Sequence, residues 1–182
     1  ALGNYMLTLV EPDHARLRNL VDEAFRRRAV LDMEPHIRAI ADRLADQLFA
    51  DGSPADLVQR YARKLPLAVI WELLGLPPAD RPKFIAWANS LANLTNAFDF
   101  LRLIGGLVRM RSYLRERLRL AREEGGEGLI AELVRVEKEG GRITPDEMVS
   151  MVFLLLGAGS ETTTHLISGS VFELLKDTDR RD

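Results

Sequence analysis

The residue types best suited to carrying chemistry gather in one short run, Gly157-Ala158-Gly159-Ser160-Glu161-Thr162-Thr163-Thr164. The run lies inside a stretch with helical periodicity, where its composition is costly. Each glycine costs roughly 1 kcal/mol relative to alanine, and three consecutive threonines add β-branched crowding. A helix that keeps such residues is making room for something at its backbone. Thr162 follows Ala158 by four residues, so its hydroxyl can bond back to that carbonyl. Glu161 is an acid in an otherwise apolar helix, and a buried acid needs a partner or a task. The competing reading is plain helix–helix packing at the glycines beside a solvated polar end. The residues alone leave both readings open.

A second group stands near the start, Glu11-Pro12-Asp13-His14-Ala15-Arg16-Leu17-Arg18. His14 and Arg18 are four apart, hence neighbours on one helical face, and both can donate to an anion. The N-terminus of the helix adds a positive field. The ordinary alternative is a surface His–Arg pair beside Asp13.

These groups need elements to hold them, and every element reads as helix. Apolar residues recur at three- and four-residue spacing, and no segment alternates as a half-buried strand would. Helices are predicted over Pro12 to Phe25, Leu31 to Phe49 and Leu57 to Leu76, the last stopped by Pro77-Pro78. Another, which Asp80 can cap, runs to about Asn93; others cover about Asp99 to Gly125 and Gly128 to Lys138. The last begins at Thr144, Pro145 and Glu147, the N-cap, first-turn proline and reciprocal glutamate of a capping box, and runs to about Lys176. Its length and its apolar middle predict a path through the centre of something larger.

The 182 residues suit a single domain, and 47% hydrophobic with 29% charged residues is an ordinary folded mixture. A net charge of −2 gives no reason to expect nucleic acid or an anionic membrane as partner. The apolar run Met148 to Ala158 is too short to span a bilayer. No signal-peptide pattern opens the chain, and a cytoplasmic location is expected. With no cysteine in the sequence, disulfides, thiolate nucleophiles and thiolate metal ligands are excluded.

Ala158-Gly159-Ser160-Glu161-Thr162-Thr163 resembles the oxygen-activation signature of the cytochrome P-450 family, which lies across the distal face of the heme. The resemblance implies that Ala158 and Gly159, with Gly157, let heme and dioxygen approach the backbone. It further implies that Glu161 and Thr162 deliver protons. P-D-H-x-R-L-R, from Pro12 to Arg18, with Leu20-Val21 and Ala24-Phe25 behind it, resembles the family's third helix. That likeness gives His14 and Arg18 the task of binding a heme propionate. Bacterial members often carry aspartate where Val10 stands, so the capping usual for this helix is missing. Ala29-Val30, Leu73 to Pro77, Ile143 to Glu147 and Glu173 to Asp179 continue the likeness in order.

The resemblance implies an all-α segment of a bacterial-type heme monooxygenase, running from the third helix through the long central one. The complete protein would use heme b, a small organic substrate and a ferredoxin- or flavodoxin-type redox partner. The family's iron ligand is a cysteine in a downstream glycine-rich loop, after a helix with an E-x-x-R pair. Glu23/Arg26, Glu116/Arg119 and Glu132/Arg135 have that spacing but precede the long helix, and read as solvated-face coincidences. His14, His36 and His165 are poor substitutes for the thiolate. The chain by itself is therefore expected to be inactive and to hold no heme stably. Some of the surface of Met148 to Leu156, left bare, is expected to drive self-association. Arg102, Arg109, Arg111, Arg115, Arg117, Arg119 and Arg122 would suit an acidic partner but, interleaved with Glu116, Glu123 and Glu124, read as a face laced with ion pairs. Phe98, Phe100, Leu101 and Leu103 fall where the family has its substrate lid, and core packing accounts for them equally well. The alternative is a degenerate, heme-free relative serving as a helical interaction protein; an unrelated all-α binding module would make both motifs coincidence.

Overall fold

The structure is a computed structural model that describes residues 10–27, 33–50, 52, 54–83 and 97–176. Every regular element among them is helical: α1 (Asp13–Arg27), α2 (Glu34–Ala50), α3 (Lys64–Leu74), α4 (Ala97–Glu124), α5 (Leu129–Lys138) and α6 (Pro145–Lys176). A π-helical turn covers Val58–Ala62 and a 3₁₀ turn covers Pro78–Asp80. The expected all-α segment is what the chain forms, and most boundaries fall within a few residues of those predicted. The stretch expected as one helix from Leu57 instead opens as the π-helical turn, in which the Arg63 amide bonds the Val58 carbonyl five residues back, at 3.0 Å. Apolar periodicity does not distinguish that wider turn from an α-helix. Most of the helix expected to follow Asp80 lies outside the described residues, as do Ala29-Val30, Asp177 to Asp179 and the side chains at 98, 100, 101 and 103.

Two compact units can be separated, Ala1–Arg28 with Leu73–Val152 and Ala29–Glu72 with Phe153–Asp182. In the first, α5 packs against both α1 and α4. Met110, Leu114 and Leu118, spaced by four, put one buried stripe along α4. Leu129, Ile130, Leu133, Val134 and Val136 bury nearly the whole apolar face of α5, and Leu17 brings α1 into the same core. Where α3 ends and α5 begins, two glycines meet. Gly75 has φ 72° and Gly128 φ 90°, and a β-carbon on Gly128 would lie 2.5 Å from the Gly75 Cα. Glycine is required at both by conformation and by space.

The second unit is built from α2, the π-helical turn, α3 and most of α6. Ile40 and Leu44, one turn apart on α2, form a core with Ala68 of α3, and Tyr61, Leu65 and Val69 pack onto it. Among the described residues no helix is long and apolar enough to cross a membrane.

Candidate functional site

The start of α6 is fixed as its sequence predicts. The Glu147 amide donates to Thr144 Oγ1 at 3.2 Å, and the Glu147 carboxylate accepts from the Thr144 amide at 2.7 Å. This is the reciprocal capping box, and it satisfies two N-terminal donors. The same carboxylate takes the Arg16 guanidinium of α1 at 2.6 Å, and Arg16 also donates to the Arg142 carbonyl. Burial pushes the Glu147 carboxyl up, but the bonds from Arg16 and Thr144 outweigh it and hold it below the ordinary glutamate range. Asp146 beside it accepts from Arg115 and, at 2.9 Å, from Arg111, both on α4, and is held low by them.

The basic face of α4 is thus only partly the self-paired surface expected. Arg119 does bond Glu116 and Glu123, at 2.7 and 2.6 Å. Arg111 and Arg115 reach α6 instead, and Arg122 reaches Glu137 of α5 at 2.8 Å. Arg135 pairs with Glu132 within α5, as a short-range pair should; the side chains of Glu23 and Arg26 lie outside the described set. Asp80, expected as a helix cap, spends its carboxylate on Lys83 at 2.8 Å and on the Tyr113 hydroxyl at 3.0 Å.

Further along, α6 divides into two faces. Ala158, Glu161, Thr162, His165, Leu166 and Gly169 are all exposed, and at ~100° per residue they share one side of the helix. Thr163 is half-buried and Thr164 buried, on the opposite side. Gly159 turns toward α3: a β-carbon there would lie 2.9 Å from the terminal methyl of Ile70, which would have to swing aside. The acid and the threonine of the motif therefore stand together on the open face. Glu161 is exposed, so it carries none of the burial cost expected from its apolar neighbours.

The hydroxyls follow one rule. Thr162 donates to the Ala158 carbonyl at 2.9 Å, as its spacing predicts, and Thr163 to Gly159 at 3.0 Å. Ser160 and Ser168 also bond the carbonyl four residues back. Thr164 differs. Besides the Ser160 carbonyl at 2.7 Å it faces the Ala62 carbonyl at 3.2 Å, 102 residues away in sequence. By residue type alone it is one more β-branched member of the run. The available signal was its place four residues after Ser160, away from the Glu161 side.

Met148, Val149, Met151, Val152 and Leu156 are buried, whereas Phe153, Leu154 and Leu155 are half-buried, so the run is covered in part. The large apolar side chains that stay exposed on α6 lie further along, at Leu166, Phe172, Leu174 and Leu175.

His14 and Arg18 sit one turn apart on α1, in the first unit, whereas residues 158–165 belong to the second. His14 Nδ1 lies 3.5 Å from the Glu11 carboxylate, and Arg18 Nε lies 3.4 Å from Asp22. Glu11 also accepts the Ala15 amide at 3.3 Å, taking up the capping task that Val10 cannot perform. Both the imidazole and the guanidinium are open to an incoming anion, with 40% and 62% of their side-chain surface exposed. No group of three or more His, Asp or Glu side chains among the described residues is arranged to hold a metal ion.

The described residues are all-helical in their regular elements, and the longest, capped helix carries a small residue, an acid and a hydroxyl on its open face. No protein-family model matches the chain. The vitamin D(3) 25-hydroxylase of Pseudonocardia autotrophica is 40% identical over 177 residues, covering 97% of this chain and 43% of that protein. A cytochrome P-450 of Bacillus subtilis is 38% identical over 178 residues, covering 96% and 42%. Among solved structures, ligand-free cytochrome P-450 TbtJ1 superposes with a TM-score of 0.88 at 35% identity, covering 98% of this chain and 48% of that one. The chain belongs to the bacterial cytochrome P-450 family, and it spans less than half the length of the relatives it matches.

Proposed function

We propose that this chain supplies the oxygen-side helix and a propionate-binding pair of a heme monooxygenase. The complete protein would insert one oxygen atom from O2 into a small organic substrate, with electrons from a ferredoxin- or flavodoxin-type partner. The observation that carries the reading is the open face of α6, where Ala158, Glu161 and Thr162 stand together unburied in a chain matching that family along its length.

That face suits a flat macrocycle. Ala158 ends at its β-carbon, and a β-carbon added at Gly169 would meet nothing within 4 Å. Heme b, when bound, supplies the iron at which dioxygen is reduced. Its thiolate ligand has to come from outside these 182 residues, which contain no cysteine. His14 and Arg18 are the residues that would hold a propionate, by exchanging their local carboxylates for it.

Thr162 and Glu161 have separable tasks. The single Thr162 hydrogen is committed to the Ala158 carbonyl, so Oγ1 faces outward as an acceptor. A water bound there must donate one hydrogen to Thr162, which leaves its other hydrogen free for delivery. Glu161, adjacent and exposed, resupplies the proton as a general acid.

The test is a graft. This chain replaces the matching 177 residues of the Pseudonocardia hydroxylase, which retains its own heme-ligating part. The reduced, carbon monoxide-bound graft is expected to show the thiolate-type Soret band and to oxidise substrate. Loss of both in a folded graft would refute the proposal.

A further inference from the structure

We infer that Thr164 is a positioning residue: its hydroxyl, reaching the Ala62 carbonyl, sets the rotation of α6 about its own axis and hence the direction in which Glu161 and Thr162 face. Thr164 is the one buried polar side chain among the described residues, 8% exposed. Its hydroxyl has one hydrogen and two carbonyls before it, Ser160 at 2.7 Å and Ala62 at 3.2 Å. The first bond is local, like those of Thr162 and Thr163. The second is the longer branch of that shared hydrogen, and it ties α6 to the end of the π-helical turn, at a residue with no exposed surface.

Directionality is why this contact can set rotation. The nearby approach of Gly159 to Ile70 is apolar, and such a contact tolerates sliding. A hydrogen bond weakens steeply with distance and angle. Side-chain atoms lie about 5–6 Å from a helix axis, so a roll of about 20° moves them by roughly 2 Å. A 3.2 Å bond does not survive that displacement, and the same roll swings Thr162 on the other side by a similar amount. Misplacement on the order of 1 Å is enough to cost a catalytic group most of its effect. The π-helical turn fits this use, since such turns recur where a helix serves a functional site.

The catalytic consequence rests on the role proposed for Thr162, but the rotation itself does not. Because the chain lacks cysteine, two introduced cysteines are the sole labelling points. Leu166→Cys on the open face and Arg43→Cys on α2 are both exposed and lie within one compact unit. Spin labels at these positions report the rotation of α6 as an electron–electron distance distribution. In that background Thr164→Val, which keeps the shape and removes the hydroxyl, should shift or broaden the distribution by roughly 2 Å. Thr164→Ser should restore it, and Thr163→Val should leave it unchanged.

A distribution unaltered by Thr164→Val would overturn the inference, as would an equal change from Thr163→Val or a failure of serine to rescue. Should the valine variant fail to fold, Thr164→Ala is measured in the same way. If neither folds, Thr164 maintains the fold itself and the positioning role is lost. These distances do not depend on monooxygenase activity, so the two proposals fail separately.

Discussion

Replacing Gly75 by alanine should destabilise the first unit far more than the same change at a glycine that also has positive φ but stands in open space. Two effects combine at Gly75. Its φ of 72° places an L-residue in the left-handed region, at a cost of about 1–2 kcal/mol. Its added β-carbon would stand 2.0 Å from the Glu127 carbonyl oxygen and 3.1 Å from the Gly128 Cα, so backbone has to move. Forced displacement of a packed neighbour costs about 1–3 kcal/mol. The expected loss is then about 2–5 kcal/mol, a large part of the roughly 5–15 kcal/mol that holds a domain together. For a chain of this size each kcal/mol lowers Tm by about 2–4 °C. Gly140→Ala is the control: φ is 100°, but nothing lies within 4 Å, so only the conformational cost of about 1–2 kcal/mol applies. Gly105→Ala, on α4 with open space around it, should stabilise by about 0.5–1 kcal/mol. Urea and thermal unfolding followed by circular dichroism measure all three. Equal losses at Gly75 and Gly140 would refute the close crossing of the α3 end and the α5 start.

Acid should loosen the start of α6, because the folded state holds Glu147 and Asp146 below their ordinary values. Their contribution is complete above the unfolded carboxylate range near pH ~4 and is lost as pH falls through the lower folded values. Glu147→Gln should flatten that acid limb in unfolding curves taken from pH 6 downward, and a limb as steep as the parent's would contradict the assignment. Arg16→Ala should cost about 1.5–3 kcal/mol, the range for a charge-assisted bond, with little loss expected from removing exposed Arg38. In the graft, Thr162→Ala should keep oxygen consumption while product falls and hydrogen peroxide rises; Thr162→Ser should retain much of the coupling, and Thr163→Ala should matter less. Equal product per electron in all three would remove Thr162 from the mechanism. The chain alone, given heme, reductant and carbon monoxide, should show no thiolate-type Soret band, and a stoichiometric one would refute this. Sedimentation across a concentration range should reveal self-association through Leu166, Phe172, Leu174 and Leu175, whereas a monomer at high concentration would contradict it.

The sequence was most legible where structure is decided locally. The capping box at Thr144 and Glu147 needs three residues and a helix, and its bonds are those the spacing predicts. The Thr162 bond to Ala158 follows from a four-residue offset in the same way. Long-range partners were not legible. Arg111 and Arg115 have no acidic residue three or four places away on their own helix, and nothing in periodicity says that Asp146 is the partner they find instead. Glu11 replaced a missing cap because a longer carboxylate one position on could still reach the Ala15 amide. Which part of Met148 to Leu156 is covered was not legible for a related reason: hydrophobic content shows that a run seeks burial, not which partners in the chain provide it.

The motif itself shows how one contiguous run serves two faces. Successive helical residues turn by ~100°, so six of them point in every direction and cannot all address one ligand. Ala158, Glu161 and Thr162 share the open side. Gly159 meets Ile70, and Thr164, one turn after Ser160, meets Ala62. Small residues and hydroxyls are useful on both sides, for unlike reasons. On the packed side they let α3 and the π-helical turn come close while each hydroxyl satisfies itself on the helix backbone. On the open side, under the proposed function, they leave room for a flat cofactor and one oriented water. Two adjacent threonines, 162 and 163, make the same backbone bond and differ only in direction. Chemical identity therefore cannot distinguish the acting residue from its neighbour; rotation does, and rotation is what Thr164 is inferred to hold.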